Sequence, residues 1–224
     1  MRNKASVLLL SAVFAVLGFC AVMALASLPA LAQSKDDAVK AFIQTNIDRG
    51  ISILKNKSIT ETEKRAQVRD MLTSLLDTKR IGLYALGDAR AKASDADIAA
   101  YLDAFNHFMV ESYVTRLNGY GGETLKITGV LDHAPGDYVV QSVLADPDMP
   151  DDPDPVHVDF RVFETDGKFA IVDANIAGVS LGRAQRSDFV GFLSQHDNSV
   201  PALTERLKMM TANFMKPEAQ APAQ

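Results

Sequence analysis

The N-terminal half of the chain repeats its hydrophobic residues at helical spacing. Between residues 36 and 55 they form one stripe, at Val39, Phe42, Ile43, Ile47, Ile51 and Leu54, and this spacing predicts an amphipathic helix. Thr60 followed by Glu63 is a capping-box pattern, so we expect a second helix to begin near Thr60 and helical character to continue to Gly87. A third helix is predicted from Ser94 to the glycines that begin at Gly119.

After these glycines the hydrophobic period changes from 3.6 to 2. Four segments alternate apolar and polar residues, at 125–128, 137–144, 156–163 and 169–176, and they predict four successive strands of an antiparallel sheet. Two further helical patterns follow, at residues 183–195 and 200–214. Because helices precede and follow a run of strands, the predicted fold class is α+β, a four-stranded, mostly antiparallel sheet covered by N-terminal and C-terminal helices.

The first 32 residues have the pattern of a secretory signal peptide. Arg2 and Lys4 precede a long run without charge, which closes on the small-x-small pair Ala30 and Ala32. We expect cleavage after Ala32, with an uncleaved membrane anchor as the alternative. The remaining chain then divides into a domain over residues 33–214 and a disordered tail over residues 215–224, which is rich in Ala, Pro and Gln.

Cleavage changes both the cysteine content and the charge. The one cysteine, Cys20, is removed with the signal peptide, which excludes a disulfide framework, a thiol nucleophile and a thiolate metal site. Removing Arg2 and Lys4 from 23 basic residues leaves 21 against 28 acidic ones, a net charge of −7. A surface of this charge is a poor partner for nucleic acid.

The candidate motifs for catalysis and metal binding are weak. Residues 178–182 read Gly-Val-Ser-Leu-Gly, the spacing of a hydrolase nucleophile elbow around Ser180, but only Asp188 and His196 follow as partners, and no alternation of strands and helices surrounds it. The acidic, proline-rich segment 146–155 lacks the Gly and Glu of an EF-hand loop, and the four histidines show no ligand spacing. We therefore predict no metal site and no cofactor, and a serine hydrolase stays an alternative.

Several motifs of the C-terminal half are similar to those of a known family. Phe-Ala-Ile-Val-Asp at 169–173, Gly-Val-Ser-Leu at 178–181 and Arg-Ser-Asp-Phe at 186–189 resemble the MlaC family, also called the toluene-tolerance family of periplasmic proteins. Ala-Leu-Gly at 85–87 resembles the helical half of that family, as do Phe105, Tyr113, Arg116, Leu117 and Tyr120. The chain departs from the family at Ala177, where an acidic residue is usual, and in its longer acidic loop.

The resemblance implies a periplasmic carrier that holds a phospholipid by its acyl chains. The carrier would move lipid between the outer membrane and an inner-membrane ABC transporter and maintain outer-membrane lipid asymmetry, with that transporter and an outer-membrane lipoprotein complex as partners. Its apolar cavity would lie between the sheet and the helices, towards the upper end of the usual range of roughly 300 to 1,000 Å³. The expected lipid-binding residues are Phe105, Met109, Val158, Phe160, Val162, Phe169, Ile171, Ile176, Val179 and Arg186.

Two other interpretations stay open. A branch of the same family is linked to hopanoid production, so the ligand would be a rigid polycyclic lipid instead of a phospholipid. An enzyme built on a similar α+β framework would need an acid and a base facing the cavity, and Asp173 is the one inward-facing acid that the strand pattern offers.

Overall fold

A computed structural model describes residues 35–116, 120–147, 149 and 152–216. The predicted signal peptide lies outside these residues, as does the predicted tail apart from its first two positions. The described chain runs through α1 (Lys35–Lys55), α2 (Glu61–Leu75), α3 (Thr78–Leu86), a short 3-10 helix (Gly87–Ala91), α4 (Asp95–Arg116), β1 (Thr124–Ala134), β2 (Asp137–Ala145), β3 (Val158–Thr165), β4 (Lys168–Ile176), β5 (Val179–Ser180), α5 (Leu181–Ser194) and α6 (Val200–Phe214). The predicted α+β class is confirmed.

The helix starts follow the capping residues of the sequence. Thr60 accepts a hydrogen bond from the Glu63 amide, while the Glu63 carboxylate accepts from the Thr60 amide at 2.8 Å, which completes the capping box of α2. Between α2 and α3, however, the predicted continuous helical character is interrupted at Leu76 and Asp77. Leu76 adopts an extended conformation and pairs with Ile171 of β4, and the Asp77 amide donates to the Ile171 carbonyl.

The sheet is an antiparallel meander in the order β1-β2-β3-β4-β5, with five strands where the sequence predicted four. The additional strand has two residues and pairs with the end of β4, Ile176 opposite Val179. Ala177 and Gly178 make the tight turn between these strands, and both have positive φ, at 49° and 84°. Positive φ at both central positions is the geometry of a primed hairpin turn. Short strands of this kind escape detection because two residues carry no period.

The buried residues of the described chain form three clusters, and helix α4 contributes to two of them. The first joins α3, α4, α5 and α6 around the aromatic rings of Tyr101, Phe105, Phe108 and Phe189. The second lies between α1 and the sheet, and the third joins α1, α2 and α4. The described part contains no helix that is both long and apolar enough to cross a membrane.

Candidate functional site

A cavity of about 460 Å³ lies between the helical cluster and the sheet. Its walls come from the end of α2, from α4, α5 and α6, and from strands β3 and β4. The volume is within the range of small-molecule pockets, although in its lower half, below the size expected from the sequence. The wall is mainly apolar, and its large apolar side chains are Leu72, Leu75, Leu76, Ile81, Phe108, Met109, Tyr113, Val158, Phe160, Ile171, Val172, Ile176, Leu181, Phe189, Met210 and Phe214.

The structure brings five of the residues expected to bind lipid onto this wall: Met109, Val158, Phe160, Ile171 and Ile176. The strand residues among them share one face of β3 and β4. Val158 and Phe160 do so by alternation, whereas Ile171 joins the face of Ile176 because the pairing shifts by one residue between Arg161 and Val162. Met109 reaches the cavity from α4 and is otherwise packed in the helical cluster.

The structure places the other five elsewhere. Phe105 is fully buried in the helical cluster. Val162 and Phe169 belong to the cluster under α1, where the Phe169 ring packs at a tilt of 43° against the Phe42 ring of that helix. Val179 is on the two-residue strand and is 56% exposed. Arg186 points to the opposite side of α5 and donates a hydrogen bond to the Tyr84 carbonyl at 3.2 Å. Apolar patterning alone does not separate core positions from cavity positions, since both are water-free.

Arg186 instead lines a separate, polar groove of about 530 Å³ beside α3. Its guanidinium stacks over the Tyr84 ring at 5.2 Å and lies 3.7 Å from the Asp88 carboxylate. Gly87 leaves room for it, because a Cβ at that position would lie 3.3 Å from the guanidinium carbon. The Arg186 side chain thus joins α5 to the end of α3.

Most of the cavity-lining residues that the helices supply were not predicted from the sequence. Leu72, Leu75 and Leu76 are in the apolar stripe recognised for the second helix, and Met210 is in that of the last. Their spacing assigned them to a helix face but not to a cavity. The signal that could have found them is the length of those stripes, which extend beyond what one neighbouring helix covers.

One hydrogen-bond hub fixes the edge of the cavity where β4 meets α5. The Asp173 carboxylate accepts from the Ser180 hydroxyl at 2.6 Å, from the Gly182 amide at 2.8 Å and from the Ala174 amide at 2.9 Å. Ser180 is also the N-cap of α5, since its hydroxyl accepts from the Arg183 amide at 3.1 Å. The hub therefore anchors the first turn of α5 to the sheet.

This hub accounts for the Gly-Val-Ser-Leu-Gly motif. The Ser180 side chain is buried, at 6% exposure, and its hydroxyl is engaged as both donor and acceptor. A Cβ at Gly182 would approach the Asp173 oxygen to 3.1 Å, so the second glycine permits close packing of helix on carboxylate. His196 lies just beyond the end of α5, stacked on Phe192, and its Nδ1 is 2.8 Å from the Phe192 carbonyl, to which the ring donates when Nδ1 carries the proton.

Four charged side chains also border the cavity: Arg116, Arg206, Asp173 and Asp188. Arg116 is the last residue of α4, and Arg206 is on α6 with its guanidinium 4.6 Å from the Phe192 ring centre. Burial raises the pKa of the Tyr113 hydroxyl in the wall, while the nearby Arg116 acts in the opposite direction. The cavity is thus apolar inside and charged at part of its border.

Within the described ranges, no group of three or more carboxylate, histidine or cysteine side chains is arranged to hold a metal ion. Part of the acidic segment 146–155 lies outside those ranges.

Comparison with known proteins identifies relatives of this architecture. The chain resembles the phospholipid-binding protein from Ralstonia solanacearum, whose structure was solved in complex with a phospholipid, with a TM-score of 0.65 at 21% sequence identity. The alignment covers 79% of this chain and 98% of that one, so the two share a fold. No curated protein matches the sequence. The family model described as MlaC protein matches residues 44–209, and the chain therefore belongs to the MlaC family.

Proposed function

We propose that this protein binds a phospholipid in the cavity between the sheet and the helices and carries it through the periplasm. The observation that carries the proposal is the apolar cavity itself, bordered on one side by charged residues. Family membership and the phospholipid in the Ralstonia solanacearum relative support it. The proposed acyl-chain contacts are the five expected residues that line the cavity: Met109, Val158, Phe160, Ile171 and Ile176.

The physical need for a carrier follows from the cost of exposing acyl chains. Burial is worth about 0.8 kcal/mol per methylene, so a chain of about 15 methylenes costs roughly 12 kcal/mol to transfer into water. Such a penalty makes unassisted transfer between two membranes slow. A protein with a closed apolar chamber replaces the membrane interior during transit, and it needs no catalytic group to do so.

The proposed route runs between the outer membrane and an inner-membrane ABC transporter, which would maintain outer-membrane lipid asymmetry. The N-terminal signal sequence supports export to that compartment. The partners would be the transporter complex and an outer-membrane lipoprotein complex. Loss of lipid exchange when the transporter is deleted would identify the first of them.

Native mass spectrometry tests the binding step. The full chain is produced with its signal sequence in a double-membraned bacterium, purified from the periplasmic fraction and extracted with solvent. We expect a mature N-terminus at Gln33 and a phospholipid adduct. A hopanoid in the extract would support the alternative ligand, and a chain that is always empty would refute both carrier functions.

A cavity-filling substitution locates the site. Ala174 lines the cavity on β4, while its neighbour Asn175 lines the groove on the other face of the strand. Ala174→Phe should place a phenyl ring inside the cavity and lower lipid occupancy several-fold, whereas Asn175→Phe should leave it near the wild-type level. Equal occupancy in the two variants, both folded by circular dichroism, would place the ligand elsewhere.

A further inference from the structure

Two arginines at the border of the cavity have no carboxylate partner. Arg116 and Arg206 both line the cavity, and within the part of the chain that the structure describes no carboxylate oxygen lies within 4.0 Å of either guanidinium. Arg69 and Arg161, by contrast, each form two hydrogen bonds to one buried carboxylate. The arginines that this fold uses for stability are paired, and the two at the cavity are not.

Aromatic rings hold both free guanidinium groups beside the cavity. Arg116 lies over the Tyr113 ring at 5.8 Å, and Arg206 lies over the Phe192 ring at 4.6 Å. Stacking on a ring restricts the side chain while it leaves the N–H donors free, because the donors lie in the guanidinium plane. Both cations are therefore oriented without being neutralised.

Within the described residues, neither acidic side chain of the same border forms an ion pair with these arginines. The oxygens of Asp173 already accept three hydrogen bonds from Ser180 and two backbone amides. Asp188 is exposed on α5. The border carries two positive and two negative charges, but Asp173 already has its own neutral donors, whereas the N–H donors of the two arginines have no carboxylate partner. Free guanidinium donors suit an anionic acceptor next to the apolar chamber.

We propose that Arg116 and Arg206 bind the anionic group of the ligand, the phosphate of a phospholipid whose acyl part fills the cavity. This inference rests on the proposed function. It concerns the charged group of the ligand, which the apolar wall does not select. Guanidinium groups match phosphate oxygens with pairs of N–H donors. A carboxylate on a fatty acid has the same chemistry, while an uncharged lipid gains nothing from the two arginines.

The test compares ligands with a phosphate, a carboxylate or no charged group; phosphatidylglycerol and diacylglycerol share the same two-chain acyl part. The mature chain is delipidated and incubated with phosphatidylglycerol vesicles, with a long-chain fatty acid or with diacylglycerol, and the occupancy is read by native mass spectrometry. The variant R116Q/R206Q should lose about tenfold in affinity for phosphatidylglycerol, the size expected for two partly exposed charge-assisted contacts. Its affinity for diacylglycerol should be unchanged, which also shows that the variant is folded.

Two further variants complete the design. K126Q/K208Q removes the same two charges from β1 and α6 outside the cavity and should bind like wild type. R116K/R206K keeps the charge and should recover part of the phosphatidylglycerol affinity. A tenfold loss for the fatty acid but none for phosphatidylglycerol would overturn the assignment to phosphate in favour of a carboxylate.

The outcomes separate the two levels of the hypothesis. If wild-type protein binds phosphatidylglycerol and R116Q/R206Q binds it equally well, the inference fails while the carrier function stands. A parallel loss for diacylglycerol would also overturn it, because the arginines would then act on the fold and not on the charged group. If wild-type protein binds none of the three lipids, the proposed function itself fails.

Discussion

The hydrogen-bond hub at Asp173 should be a sensitive polar site of the domain. Asp173→Ala removes the acceptor of the Ser180 hydroxyl and of the Gly182 amide, and both of these residues are buried. Each buried donor left without a partner costs about 1–3 kcal/mol. Because the hub borders a cavity, water can replace part of the loss, and we expect a total of about 3 kcal/mol.

Ser180→Ala affects the same hub from the other side. It removes the N-cap of α5, worth about 1 kcal/mol, and one of the three hydrogen bonds to the Asp173 carboxylate. We therefore expect a loss of about 1–2 kcal/mol. If the two side chains act as one unit, the double variant loses less than the sum of the single variants, with a coupling free energy of about 1 kcal/mol.

Urea unfolding of the four proteins of this double-mutant cycle measures the coupling. For a domain of this size the 3 kcal/mol loss in Asp173→Ala corresponds to a melting temperature about 6–12 °C lower. Ser194→Ala, which removes a hydroxyl on the exposed end of α5, is the control and should change stability by less than about 0.5 kcal/mol. Additive effects in the cycle, within about 0.3 kcal/mol, would refute the idea that the two side chains form one anchor.

Three further predictions concern local backbone and charge. Gly82→Ala should lower the free energy of unfolding in urea by about 1–3 kcal/mol, because its Cβ would lie 2.9 Å from a phenyl carbon of α4. Gly191→Ala, whose Cβ would have no atom within 4 Å, should stabilise α5 by up to about 1 kcal/mol. Ala177→Asn should raise the melting temperature by a few degrees, since asparagine tolerates the positive φ of this turn better than alanine; no change would argue against that turn geometry. Hydrogen bonds from the backbone and hydroxyl of Thr60, the N-cap of α2, hold the pKa of Glu63 below 4.5. The contribution of Glu63 to folding stability is therefore present above pH 4.5 and is lost as the pH falls through the lower folded-state pKa. The difference in melting temperature between wild type and Glu63→Ala should therefore narrow from pH 6 to pH 3, and a constant difference would contradict this assignment.

Local signals in the sequence predicted the elements well where the cause of an element is local. The capping box at Thr60 and the period-2 segments gave α2 and the main strands, because propensity and capping act within a few residues. The break at Leu76 was missed, since its cause is a backbone pairing with Ile171, almost a hundred positions away. The strand at Val179 was missed for a different reason, because two residues are too few to show a period.

The cavity was harder to predict than the fold. Val158 and Val162 have the same residue type and lie on one strand, yet the first lines the cavity and the second is covered by α1. What separates them is the position of α1 over one part of the sheet only, which no spacing in the sequence reveals. Arg186 shows the converse problem, because its motif marked it as important without giving the face of α5 on which it lies.

The position of the cavity explains how the domain can open it without losing its core. The helical cluster around Phe105 and the sheet cluster around Val140 lie on either side of the cavity. Each supplies part of its wall, for example Met109 from the first and Ile171 from the second. Cluster residues that lie away from the wall, such as Tyr101 and Val140, can keep their contacts while a ligand occupies the cavity. Because α5 is tied to β4 at Asp173 and to α3 through Arg186, we expect this helix to keep its position during ligand uptake. The charged group of a ligand would then stay at the border, and the apolar part would enter first.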